Sequence, residues 1–127
     1  MLIGIERDIP IQVYNVALAV RRWALRKNGG DADGMCSDSS CEICRRLAGT
    51  RYRPMQYDGN FICNNKRGYY GDGDQFLAGH CWVQFGHIIL DVTADQFNKD
   101  LHGIKMKPIV YGTRTQLMRL YKGESLY

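Results

Sequence analysis

A chain of 127 residues, 45% of them hydrophobic, carries enough apolar material for one domain whose core needs neither disulfides nor a structural metal as a staple. Its 17 Lys and Arg are interspersed with 13 Asp and Glu, so the net charge of +4 forms no block of like charge and falls short of a nucleic-acid-binding signature. The apolar stretch 13–20 is broken by Asn15 and stopped by Arg21-Arg22, too short to span a bilayer, and the acidic residues of the opening MLIGIERDIP are unlike a secretory leader. Five cysteines without such a leader point to reduced thiols in a cytoplasmic setting, and an odd number cannot pair fully within one chain.

Pro10 precedes a run, residues 11–27, with apolar side chains at 13, 16, 17, 20, 23 and 24, a stripe that predicts a core-packing helix ended by Asn28-Gly29-Gly30. Residues 29–34, mostly glycine and aspartate, form a loop. Residues 35–40 then offer several capping side chains, and residues 41–47 continue as a second helix that Gly49 can end. Residues 51–57 and 60–63 read as two short strands around an Asp58-Gly59 turn, the first an edge strand because of Pro54. Residues 64–79, rich in glycine, asparagine and aspartate, read as a long surface loop. A short helical turn over 94–98, a strand over 108–111 and a closing helix over 113–121 complete the predicted elements.

The most informative stretch is GHCWVQFGHIILDVTADQF, residues 79–97. Two strand-like runs, 80–85 and 88–92, flank Gly86-His87, a glycine-first pair that predicts a type II′ hairpin. A two-residue turn sets Trp82 opposite Asp91 and His80 opposite Thr93, so these four share a face. His80 and Asp91 become diagonal neighbours about 7 Å apart at the backbone, within reach of a hydrogen bond of about 2.7–3.2 Å. Val83, Phe85, Ile88, Leu90 and Val92 occupy the other face and give it a reason to be buried. A histidine held by a carboxylate makes two thirds of a nucleophilic triad. Cys36 supplies the third part, because it falls at or just before a helix N-terminus, where unpaired N–H groups and the helix dipole lower a thiol's pKa. Cys41 and Cys44 lie deeper in that helix and suit small buried hydrophobes. Trp82 reads as a packing wall beside the histidine, and Asp95 as a cap for the turn after Thr93 and the fallback acid should the register slip. His87 and His102, in a turn and a loop, receive no role, nor do Gln12 and Asn15 as oxyanion donors.

The order Cys36, His80, Asp91 is that of papain-like thiol enzymes. His80-x-Trp82, the glycine turn, and Asp91-Val92-Thr93-Ala94-Asp95-Gln96-Phe97 resemble the histidine and aspartate segments of the transglutaminase-like superfamily, in particular small bacterial and phage members with an H-x-W … I-D-x-T-x-x-Q-F signature. Leu90 stands where that signature has its isoleucine. Gly34-Met35-Cys36 is similar to the family's G-x-C segment. The resemblance implies an α+β fold of papain/transglutaminase-like topology, in which a helix bearing the cysteine packs on an antiparallel sheet bearing the histidine and aspartate. It implies Cys36 as nucleophile, His80 as general base and acid, and Asp91 as the orienting carboxylate of a cysteine hydrolase or acyltransferase. The substrate would be an amide in a peptide or protein, as for proteases, amidases, glutamine deamidases and transglutaminases. No cofactor, membrane or nucleic acid is implied.

Two other classes compete. Cys36-x4-Cys41-x2-Cys44 followed by Cys63 has the opening spacing of plant-type iron-sulfur ferredoxins and could form a zinc site of four thiolates. It leaves His80, Asp91 and the TADQF segment without a purpose. A nucleic-acid module would rest on Arg21-Arg22, Arg45-Arg46 and Lys66-Arg67 beside Tyr69-Tyr70, which read more simply as solvated surface.

Overall fold

Residues 1–64 and 76–125 are described by a computed structural model. Helix α1 (Ile11–Lys27) occupies the predicted range and buries Val13, Ala17, Val20 and Ala24, one apolar residue per turn. It stops where Gly29 and Gly30 adopt positive φ and the Gly30 N–H closes back on the Leu25 carbonyl at 2.7 Å. Helix α2 (Cys36–Arg46) begins at the cysteine itself; its cap is Met35, and none of the neighbouring serines or aspartates makes the expected capping bond. Ser39 and Ser40 are instead buried within the helix.

The strands are β1 (Leu2–Ile5), β2 (Met55–Cys63), β3 (Phe76–Phe85), β4 (Ile88–Asp91), β5 (Lys105–Thr113) and β6 (Tyr121–Ser125). They form a six-stranded sheet in the order β1-β5-β4-β3-β2-β6, with a 3-10 helix (Ala94–Asp100) after β4 and a one-turn helix α3 (Arg114–Leu117) after β5. The architecture is mixed α+β. The sheet is not wholly antiparallel, because β1 runs parallel to β5 at one edge. One face is covered by α1 and α2, whose Val13, Ala17, Val20, Ile43 and Leu47 pack on Val83, Leu90, Val92, Ile109 and Tyr111. The opposite face is also buried: Phe61, Cys63, Trp82, Ile89 and Val110 meet Phe97 of the 3-10 helix, Leu117 and Leu120 of the segment after β5, and Tyr121. Among the described residues no helix is long and apolar enough to cross a membrane.

Three predicted elements are corrected. The Asp58-Gly59 turn does not exist; β2 runs straight through it, between β3 and β6, so that Pro54 precedes an interior strand. Gly59 is there because β6 comes so close that a Cβ would sit 2.1 Å from the Lys122 carbonyl oxygen. The closing helix is only one turn long, and the chain returns as β6 along β2, pairing Phe61 with Tyr121. The expected loop over 64–79 ends earlier, since β3 begins at Phe76; residues 65–75, with Lys66, Arg67, Tyr69 and Tyr70, lie outside the described residues. Strand β1 was not among the predicted elements.

Candidate active site

The hairpin has the predicted register. Val83 pairs with Leu90, Gln84 with Ile89 and Phe85 with Ile88 around a turn whose first central residue, Gly86, has φ of +62° while His87 stays at negative φ, the II′ pattern. Strand β4 ends at Asp91, where the chain bends into the 3-10 helix. His80 Nε2 and Asp91 Oδ2 are 2.5 Å apart, and both side chains are essentially inaccessible. A buried carboxylate is costly unless its lone pairs are used. Here the Thr93 N–H donates to Oδ1 at 3.0 Å and the Thr93 hydroxyl lies 3.4 Å from the same oxygen, while the Tyr121 hydroxyl donates to Oδ2 at 2.9 Å.

Aromatic rings enclose the pair. Phe97 and Phe61 meet the His80 ring edge-on at centroid distances of 4.9 and 6.0 Å, and Trp82 lies 5.9 Å away. Trp82 is the predicted wall, fixed by its indole N–H on Gln84 Oε1 at 3.0 Å, with the Gln84 amide in turn donating to the Gly86 carbonyl at 2.9 Å. Buried polar side chains on this face thus brace the turn that sets the register.

The segment after Asp91 has a use for nearly every residue. Thr93 donates to Asp91, and Phe97 packs on His80. Gln96 bridges the two halves of the site: its Oε1 accepts from the Gly34 N–H at 3.3 Å and its amide donates to the Thr93 hydroxyl at 3.3 Å. Asp95 is neither cap nor fallback acid. Arg21 of α1 grips it with two bonds of 2.6 and 2.7 Å and also donates to the Val92 carbonyl at 2.8 Å. That fork ties the chain after Asp91 to the first helix.

Cys36, half-buried at the start of α2, completes the group. His80 Nδ1 is buried and has no hydrogen-bond partner among the described residues; besides Asp91, the polar group that acts on the ring is the Cys36 thiol. Burial would raise the thiol's pKa, but the neighbouring His80 imidazole, with the Cys81 backbone N–H, brings it below the ordinary value. Burial likewise opposes charge on His80, yet the Asp91 carboxylate and the Cys36 sulfur together push the imidazole up to about 9. Burial also opposes charge on Asp91, and His80, the Thr93 N–H and Tyr121 outweigh it to hold the carboxyl below its usual range. In direction, all three shifts favour the charged forms of a thiol, an imidazole and a carboxylate that act on one another. Burial raises the other displaced thiols, Cys44 and Cys63 to about 11 and Cys81 to about 12.

The four cysteines of the competing metal reading do not converge. Cys41, five residues along α2, is turned away from Cys36, Cys44 packs into the helix-side core and Cys63 is buried in the core on the opposite face. Among the described residues no three His, Cys, Asp or Glu side chains group so as to hold a metal ion. His87 and His102 are exposed, in a turn and a bend, and Gln12 and Asn15 are exposed on α1. Sequence reasoning placed Thr93 on the right face without a role and missed Arg21 and Tyr121. Arg21 carried no signal beyond a basic pair, and Tyr121 was hidden by the wrong element type. No family model, curated protein or solved structure matches the chain.

Proposed function

We propose that this chain is a cysteine-dependent acyl-transfer enzyme of papain/transglutaminase-like type, acting on an amide in a peptide or protein. The observation that carries the reading is the buried His80–Asp91 bond of 2.5 Å, which leaves the second imidazole nitrogen to a thiol at the first residue of a helix. In the resting pair, the sulfur is ionised and the imidazole holds the proton. The thiolate attacks the carbonyl carbon, and the first-turn N–H groups of α2, which have no intrahelical acceptors, are placed to receive the developing oxyanion. His80 then passes its proton to the departing amine, leaving an acyl group on Cys36 as a thioester. A water or a second amine takes His80 as its base and discharges the thioester, with Asp91 keeping the ring in the required orientation throughout. The aromatic enclosure excludes water from the ion pair and so strengthens it.

The test uses p-nitrophenyl acetate as a generic acyl donor. The expected result is a burst of about one p-nitrophenol per chain, a mass increase of one acetyl group mapping to Cys36, and neither in Cys36→Ala. An acetyl group on another residue, or an undiminished burst in Cys36→Ala, contradicts the proposal. Offering a proteome to Cys36→Ala and identifying retained proteins by mass spectrometry then addresses the substrate.

A further inference from the structure

Asp91 Oδ2 accepts two hydrogen bonds, from His80 Nε2 and from the Tyr121 hydroxyl, and the tyrosine is not part of the triad. The hydroxyl is buried, and it comes from the edge strand, at the start of β6, where Phe61 and Trp82 pack edge-on to its ring at 5.2 and 5.1 Å. Its backbone position is held by pairing with Phe61 of β2. Packing alone would be served by phenylalanine, and a phenol without a partner would be costly in this core. The structure therefore spends a polar group on the one carboxylate oxygen that also holds the histidine.

We infer that Tyr121 is a positioning residue which, by sharing Asp91 Oδ2 with His80, limits the carboxylate's hold on the imidazolium proton and keeps His80 able to release it. The inference rests on the acyl-transfer reading and assigns the hydroxyl to its second half. Acylation begins from the imidazolium and is helped by a strong carboxylate; deacylation needs neutral imidazole to take a proton from water, and a carboxylate that binds the imidazolium too well slows it. A second donor on the same oxygen spreads its charge and sets that balance. The surroundings leave few other groups to do so. Among the described residues, the titratable groups acting on Asp91 are His80 of β3, Tyr121 of β6 and Cys36 of α2; Asp95 of the 3-10 helix is taken up by Arg21, and β2 and β5 bring Phe61 and Val110. Burial and the adjacent carboxylate keep the Tyr121 hydroxyl protonated, so it remains a donor across the working range.

The experiment measures acylation and deacylation of Cys36 with p-nitrophenyl acetate, separately and as functions of pH, in four proteins: the unaltered chain, Tyr121→Phe, Asp91→Asn and the double variant. In Tyr121→Phe the limb at which deacylation gains its base is expected to move up by about half to one pH unit, slowing deacylation at neutral pH about 3- to 10-fold, while the acylation burst is retained. In the Asp91→Asn background Tyr121→Phe should add no shift, since it acts through the carboxylate. Placing 3-fluorotyrosine at position 121, a stronger donor of nearly the same shape, should move the limb downward, and this arm stands even if the phenylalanine variant fails to fold. Deacylation limbs that stay in place with both replacements, or a shift that persists in Asp91→Asn, overturn the inference. A profile that moves with Asp91→Asn but not with either tyrosine replacement overturns the tyrosine's role alone. A profile unmoved by Asp91→Asn itself overturns the triad and the inference together.

Discussion

Strands β3 and β4 carry two different buried faces. Toward the helices they present Val83 and Leu90, which with Val92 just beyond β4 share a core with Val13, Ala17, Val20, Ile43 and Leu47. Toward the other side, the same strands bury His80, Gln84 and Asp91, each with a partner: Asp91 for His80, the Trp82 indole and the Gly86 carbonyl for Gln84, and Thr93 and Tyr121 for Asp91. The first face is non-directional; apolar area leaves water, and shape decides the rest. The second depends on direction, since each polar group is tolerable only while its hydrogen bond is made. The difference teaches that one hairpin packs one side by apolar contact and holds the proposed triad partners on the other, and that damage to the two sides should read out differently.

The largest expected effect lies on the polar side. Asp91→Asn removes the charge behind His80 but keeps the shape, and turnover of an acyl donor should fall about 10²- to 10⁴-fold while the protein still folds. Leu90→Ala, on the opposite face and buried at 0% exposure, should cost about 2–5 kcal/mol in denaturant unfolding. The folded fraction of that variant should keep the pH profile of Cys36 alkylation. The reverse pattern, with Asp91→Asn unfolding and Leu90→Ala titrating differently, would mean that the faces are not separable.

Protonation gives the next effect. The folded-state pKa of His80 is raised from 6.5 to about 9, so its contribution to stability is complete below the unfolded value and is lost as pH rises through the folded one. Asp91 is shifted the other way, and its contribution is present above the ordinary carboxylate range and lost as pH falls through its depressed pKa. Measured in Cys36→Ala, so that the thiol's own titration does not enter, stability should decline between about pH 6.5 and 9 by up to roughly 3 kcal/mol, less whatever Cys36 adds to the His80 shift. A second, acid-side decline should appear below the ordinary carboxylate range. Flat stability across the alkaline window would contradict a protonated His80 held by Asp91.

Arg21→Gln should have the smallest effect. It removes the fork on Asp95, a pair whose side chains are 12% and 21% exposed, and should lower stability by about 1–2 kcal/mol. Because Arg21 also donates to the Val92 carbonyl next to Asp91, a modest loss of Cys36 reactivity is expected alongside. A loss of reactivity as large as that of Asp91→Asn would show that the clamp positions the acid more directly than its distance along the chain suggests.

How much of this was legible in the sequence varied with how local the cause was. The hairpin register followed from a two-residue glycine turn and an alternating apolar face, and with it the meeting of His80 and Asp91. Helix α1 followed from one stripe of apolar residues and a double-glycine stop. Gly59 misled because a glycine after aspartate signals a turn locally, whereas its reason was the backbone of another strand, at Lys122 and Gly123, far along the chain. Strand β6 was illegible because YKGES has no alternation or β-branched residue, and its pairing with β2 supplies what propensity does not. Tyr121 therefore could not be placed in the site. The cysteine spacing suggested a metal because ligand spacing is read along the chain, and a helix carries its residues in different directions.

The central claim is that Cys36 is ionised by its partnership with His80, and it is tested most directly by the rate of iodoacetamide alkylation at each of the five thiols as a function of pH, resolved by peptide mapping of the native protein. Cys36 should react first, at a rate that persists well below the ordinary thiol range of about 8.5 and falls only where the ion pair itself takes up a proton. Exposed Cys41 makes the comparison demanding, because accessibility alone would favour it. If Cys41 leads the labelling, or if Cys36 alkylation climbs with the pH dependence of an ordinary thiol, the pair is not formed and the account fails.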